Sequence, residues 1–256
     1  MTALLRSFRS EWLKRQDSPA AWLVVCGACF TPAIITVAKL VRHHGLAAAA
    51  ARPDFWERHW RMCWESMAIF LLPIGAILAT SLVAQLEYKD NCWKLLHTTP
   101  QRYLVIFTAK LAVVLVMMAQ FLALFNVGIF LSAVLPGLVW GVPFPAAPLP
   151  VVAFLADNMR YAVACLPIIA LQYLLSLRCR NFLVSIGAGL ALWILSIAVL
   201  NWHYGRFVPY TYCSYNFLKD SPKVTQVVAV VPWSLAYFTL FIVAAYVLYV
   251  GQEEKG

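Results

Sequence analysis

The run SMAIFLLPIGAILATSLVAQL, Ser66–Leu86, holds 21 residues without a charge and gives way at once to EYKDNCWKLLHTTPQR, Glu87–Arg102. A helix needs about 20 apolar residues to cross a hydrocarbon core of roughly 30 Å, so the first run reads as a membrane span. The second is a charged island. Read as a helix from Asp90 to Thr98 at about 100° per residue, it sets Cys92, Trp93, Leu95 and Leu96 on one arc. Asp90, Asn91, Lys94 and His97 fall on the other. Asp90 suits an N-cap, and Pro100 stops the helix by removing a donor. So short a helix is marginal alone in water, so a membrane surface, a partner protein or both must hold it. Two readings stand: an ordinary interfacial loop, or a docking helix that receives force from a soluble motor.

The rest of the chain repeats the first run. Of 256 residues, 62% are hydrophobic and only 12% charged, with mean hydropathy +0.75. A soluble domain carries about twice that charged fraction. The expected fold is therefore an all-α polytopic membrane protein, one domain over residues 1–256. Ser18–Ala38 is a further charge-free stretch of 21 residues, and Leu111–Ala156 one of 46 that five prolines interrupt from Pro136 to Pro150. Tyr161–Leu177, Asn181–Tyr204 and Val224–Gln252 follow. Six spans are expected, at about 19–40, 66–86, 104–134, 158–177, 182–201 and 228–250.

Residues 1–17 read as an interfacial helix rather than a signal peptide, because the charged prefix is long and mixed. Leu4, Leu5, Phe8 and Trp12 share one arc, opposite Arg6, Arg9, Ser10 and Lys14. Ser18-Pro19 then caps and starts the first span. With the amino terminus inside, eleven Lys and Arg fall on inner segments and nine on outer ones. The short turn Arg178-Cys-Arg180 and the four basic residues before the first span set both termini in the cytoplasm. The net charge of +9 is spread over both sides, which argues against a nucleic-acid partner.

Three outer loops are expected. Val41–Glu65 carries Trp56, Trp60 and Trp64 at intervals of four, read as interfacial anchors, with Glu57/Arg61 and Arg61/Glu65 as ion pairs. Leu135–Asp157 is Pro-rich and expected to be irregular. Asn201–Pro232 is long and aromatic, and a segment of this kind can dip back into the bilayer where protein covers its backbone.

Catalytic patterns are missing from the sequence. There is no Gly-Lys-Ser/Thr phosphate loop, no His-Glu-x-x-His helix and no Gly-x-Ser-x-Gly elbow. His43, His44 and His59 share a loop with Asp54 and Glu57, but without a repeated ligand spacing, so no metal is expected. Cys26-Gly-Ala-Cys29 lies inside a span and reads as a small-residue packing face. Cys63 and Cys213 are the cysteines expected outside, and a disulfide between them is an open option. Lys39, Asp157 and Arg160 sit at span ends, where Lys39 can snorkel and the other two can pair. Gln85, Gln120, Asn126 and Gln172 are the buried polar candidates, expected to bond between helices. No carboxylate lies deep in a span, so a proton- or sodium-driven carrier is disfavoured and transport would need energy from elsewhere.

The order Leu71-Leu-Pro73, an apolar span, Glu87, Trp93-Lys-Leu-Leu96, Pro100 and Lys110-Leu111 resembles the type-2 ABC exporter permeases (ABC-2). The likeness is closest to the small six-span subunits of bacitracin-resistance and lantibiotic-immunity transporters. It implies that the helix after span two docks on a separate ATPase and that the preceding acidic residue braces the junction. Those roles map onto Glu87, Lys89, Asp90, Trp93, Lys94, Leu96 and His97. The resemblance further implies two copies of a cytoplasmic ATPase, which bind the ATP and Mg, and a second permease, identical or paralogous. No cofactor is expected in this chain, which would be a non-catalytic subunit in a bacterial inner membrane. The alternative reading is a polytopic enzyme acting on lipid at the outer surface through the His/Asp/Glu loop.

Overall fold

The computed structural model describes residues 3–16, 18–89, 102–179, 181–219 and 228–253, all helix or connection. The helices are α1 (Ala3–Gln16), α2 (Pro19–Val41), α3 (Leu46–Ala50), α4 (Phe55–Ser66) and α5 (Leu72–Lys89). They continue with α6 (Tyr103–Val139), α7 (Val151–Arg178), α8 (Phe182–Ala198), α9 (Tyr212–Leu218) and α10 (Val230–Glu253). Among the described residues, five helical runs are long and apolar enough to cross a membrane, and α8 is a shorter apolar helix of 17 residues. The protein is an all-α polytopic membrane protein. In the bundle α2 lies along α6, α10 along α7, and α5 packs on both α7 and α8. The charged island, including Asp90, Trp93, Lys94, Leu96 and His97, lies outside the described residues. Of Glu87 and Lys89, only the helical backbone is described.

Several sequence expectations change. Trp56, Trp60 and Trp64 are not anchors at a water boundary: they are 2, 8 and 1% exposed. The i, i+4 spacing aligns them on one face, and α4 runs through a π-helical turn, Met67–Leu71, straight into α5. The tryptophan face therefore continues the inward stripe of span two. Trp64 stacks on Tyr161 at 3.8 Å and Trp60 on Phe154 at 4.0 Å. These near-parallel stacks bury two pairs of large rings against one another. The expected Glu57/Arg61 and Arg61/Glu65 pairs do not form. Arg58 instead bonds Asp54, and Arg61 lies over the Phe217 ring at 5.9 Å.

The Pro-rich connection is shorter than expected. α6 continues to Val139, where Gly141 adopts φ +65° and the Val142 N–H bonds the Gly137 carbonyl at 2.8 Å. This is a Schellman ending, which needs the left-handed residue that glycine supplies. Irregular backbone is limited to residues 140–150, and it is pinned: the Trp56 indole donates to the Ala147 carbonyl at 2.9 Å.

The aromatic segment after α8 is folded into the protein. Tyr210, Tyr212, Cys213 and Tyr215 are buried, and the Tyr215 hydroxyl donates to the Leu200 carbonyl at 2.9 Å. No disulfide joins Cys63 to Cys213. The six described cysteines are free; the Cys213 thiol faces that of Cys165, and Cys63 lies 3.7 Å from His59.

Candidate functional site: the bend and polar node of span two

Span two is one helical rod from Phe55 to Lys89 with a single irregular turn. The cause is Pro73. In an α-helix its N–H would serve the carbonyl of residue 69, but proline has none. The orphaned Ile69 carbonyl accepts instead from the Trp193 indole of α8 at 3.0 Å. Across the bundle the Ser66 hydroxyl meets the Thr31 hydroxyl of α2 at 2.9 Å. The irregular turn is thus tied to a neighbour on two sides, and the carbonyl that Pro73 leaves unserved finds a donor within the apolar interior.

Two turns further on lies a buried polar node. The Gln172 amide of α7 donates to the Ser81 hydroxyl of α5 at 2.8 Å and to the Ser185 carbonyl of α8 at 2.9 Å. The Ser176 hydroxyl sits 2.7 Å from that of Ser185. From the aromatic segment the Tyr210 hydroxyl reaches Gln172 Oε1 at 3.5 Å. Gln172, Ser81, Ser176 and Ser185 are each fully buried. α8 comes close enough because residue 189 is glycine: a Cβ there would lie 2.3 Å from Gln172 Oε1 and 2.8 Å from Ile77 Cγ2. The node therefore joins α5, α7, α8 and the aromatic segment at one level.

The other polar candidates also bond between helices. Asn126 of α6 and Asn158 of α7 exchange amide bonds at 2.8 Å in both directions. Gln120 accepts from Arg15 Nη1 at 2.9 Å, which fastens α1 to α6. The Gln85 side chain lies outside the described residues.

Lys39 does not snorkel outward. Its ammonium lies 3.0 Å from His59 Nδ1 and donates to the Ser132 carbonyl at 3.3 Å. An ammonium has only donors, so Nδ1 is the acceptor and the ring proton sits on Nε2. Nε2 is 3.0 Å from both the Ile129 carbonyl and the Ser132 hydroxyl. A protonated Nε2 cannot take a proton from Ser132, so this grouping is not a nucleophile with its base. His43 and His44 stand apart from it, His43 stacked on Trp140 at 3.9 Å. Among the described residues no three of His, Cys, Asp and Glu converge as a metal site. The geometry offers mechanical linkage between helices.

Ser81, Ser176, Ser185, Trp193 and Tyr210 were not singled out from sequence. Pro73 carried a usable signal, since a proline inside a span obliges some neighbour to serve the carbonyl four residues back. Nothing in the sequence named Trp193 as that neighbour.

No curated protein and no solved structure matches the chain. The family model described as ABC-2 family transporter protein matches residues 7–197, which takes in the irregular turn, the helical residues of the node and all but the last of the long helices. On that match, and with described residues that form helices and their connections, five of the helical runs long and apolar enough to cross a membrane, the chain belongs to the ABC-2 family of transporter proteins.

Proposed function

We propose that this chain is the membrane-spanning subunit of an exporter whose ATP is hydrolysed by a separate subunit. The observation that carries the reading is the family match across residues 7–197, beside a rod that runs unbroken to Lys89, next to the charged island. In this reading Glu87, Lys89, Asp90, Trp93, Lys94, Leu96 and His97 dock on a cytoplasmic ATPase. Two ATPases bind ATP and Mg, and a second permease, identical or paralogous, completes the pathway. The substrate is hydrophobic or amphipathic: a peptide antibiotic, a drug or a lipid-like molecule. The chain sits in the bacterial cytoplasmic membrane with both termini inside.

The mechanism follows from the linkages. Closure of the ATPases on nucleotide displaces the Lys89 end of α5. The node passes that displacement to α7 and α8, because Ser81 shares its hydrogen bonds with Gln172 and Ser185. The Trp193 contact carries it past the bend into the tryptophan-lined half of the rod.

The test is the amount of ATPase recovered with tagged permease at matched expression. Trp93 lies on the apolar arc of the island, and truncating a buried aromatic anchor commonly costs about 2 kcal/mol or more, some thirtyfold in affinity. Trp93→Ala should lower recovery, and Lys94→Ala, on the polar arc, should lower it less. Equal recovery for wild type and Trp93→Ala would overturn the docking role.

A further inference from the structure

α6 and α7 meet closely only in part, and between them lies a groove of about 640 Å³. One wall runs from Leu115 to Phe130 and the other from Val151 to Ile169, about 22 and 27 Å at 1.5 Å rise per residue. The groove thus follows the helices across much of the membrane. Its size falls within the range of about 300–1,000 Å³ that small-molecule sites occupy.

We propose that this groove is a binding site for one acyl chain of a bilayer phospholipid. Three observations select that occupant. The lip is continuous with the apolar outer surface: Phe130, Leu155 and Met159 line the groove and are also 42, 58 and 60% exposed. A membrane lipid therefore enters sideways without crossing water.

The second observation is the polar chemistry. Asn126 and Asn158 supply the only side-chain amides in the lining, and each spends both N–H groups within the protein. Asn126 donates to Asn158 and to the Leu122 carbonyl, and Asn158 to Asn126 and to the Phe154 carbonyl. No amide donor is left for a polar ligand. An extended peptide would bring a row of backbone donors and acceptors into a lining that offers little beyond the Trp60 indole to pair them. A saturated chain brings none.

The third observation is the floor. Met118, Leu122 and Ile169 line the groove yet are only 6, 9 and 2% exposed, so an occupant must enter to touch them. A flexible methylene chain reaches such residues, and thioether and branched side chains pack around it readily. The site lies between α6, which follows the charged island, and α7, which carries Gln172. A bound chain fills the space across which those two helices are bridged by the asparagine pair, while the Tyr173 hydroxyl joins them again at the Phe107 carbonyl.

The test uses the full chain in the membranes of cells fed a fatty acid that carries a photoactivatable diazirine near its end. After illumination, adducts are mapped by mass spectrometry. Met118 should be labelled and its neighbour Met117, which is fully buried and does not line the groove, should not be. Ala162→Trp, which fills the groove from α7, should abolish Met118 labelling while leaving labelling of Leu240 and Val247 on α10 unchanged. Ala123→Trp does the same from α6 and serves if the first variant does not accumulate. Met118 labelled no more than Met117 in the wild type would overturn the proposal. So would labelling that survives either filling variant, or a cysteine at Ala123 that cross-links to a second copy of the chain.

Discussion

The Trp193 indole donates to the carbonyl of Ile69, the carbonyl that Pro73 leaves without its helical N–H. A tryptophan in α8 thus completes the hydrogen bonding of the neighbouring rod. The pairing has a consequence that a double-mutant cycle can read. Trp193→Phe keeps the ring but removes the donor, and should lower stability by about 1 kcal/mol, the usual scale for one such bond. Pro73→Ala gives residue 73 an N–H that can serve Ile69. In that background Trp193→Phe should have a smaller effect, measured by thermal unfolding in detergent or nanodiscs. Equal effects in both backgrounds would show that Trp193 acts through packing alone.

The node makes a steric prediction. Gly189→Ala places a methyl group 2.3 Å from Gln172 Oε1, so the α8 backbone or the glutamine must move. Overpacking of this kind commonly costs about 1–3 kcal/mol. The variant should accumulate poorly or unfold at lower temperature. Gln172→Ala in the same chain should recover part of the loss by making room, although it gives up the bonds to Ser81 and Ser185. Gel filtration and unfolding temperature together check it.

Asn126 and Asn158 form a closed pair, and each partner leaves the other unsatisfied when removed. Asn126→Ala and Asn158→Ala should each destabilise by about 1 kcal/mol, and the double variant by less than the sum. Additive behaviour would mean that each amide is held by its own backbone carbonyl, with no net gain from the exchange across the groove.

The proposed orientation is checked by labelling cysteines in sealed cells with a reagent that does not cross the membrane. Arg52→Cys and Lys219→Cys should react from outside, and Lys94→Cys should not. Reaction of Lys94→Cys in intact cells would place the island on the wrong side for a cytoplasmic ATPase.

How much of this was legible in the sequence differs from residue to residue. Charge-free runs located the long apolar helices because hydrocarbon tolerates so few polar groups. Asn126 and Gln172 were legible for the same reason, as polar groups that must find partners inside. The tryptophans of α4 were misread because their periodicity is the same on a surface helix and on a buried one. What decided their burial was the continuity of α4 with span two, a long-range fact. Lys39 was misread likewise: its acceptors, His59 and the Ser132 carbonyl, come from distant helices. The serines of the node were invisible because a small hydroxyl in a span is common and usually bonds its own backbone.

The rod of span two also has a geometry that bears on how movement travels. At 1.5 Å per residue, the 12 residues of α4 extend about 18 Å on one side of the irregular turn and the 18 of α5 about 27 Å on the other. In the proposed mechanism, with Trp193 and Thr31 holding the turn, these are the arms of one lever. A sideways push at Lys89 then arrives at Phe55 reversed in direction and reduced by about a third, the ratio of the two lengths. With the indole withdrawn, that lever would keep only the Ser66–Thr31 contact beside its turn. In the proposed mechanism the two contacts together therefore form the fulcrum of the rod.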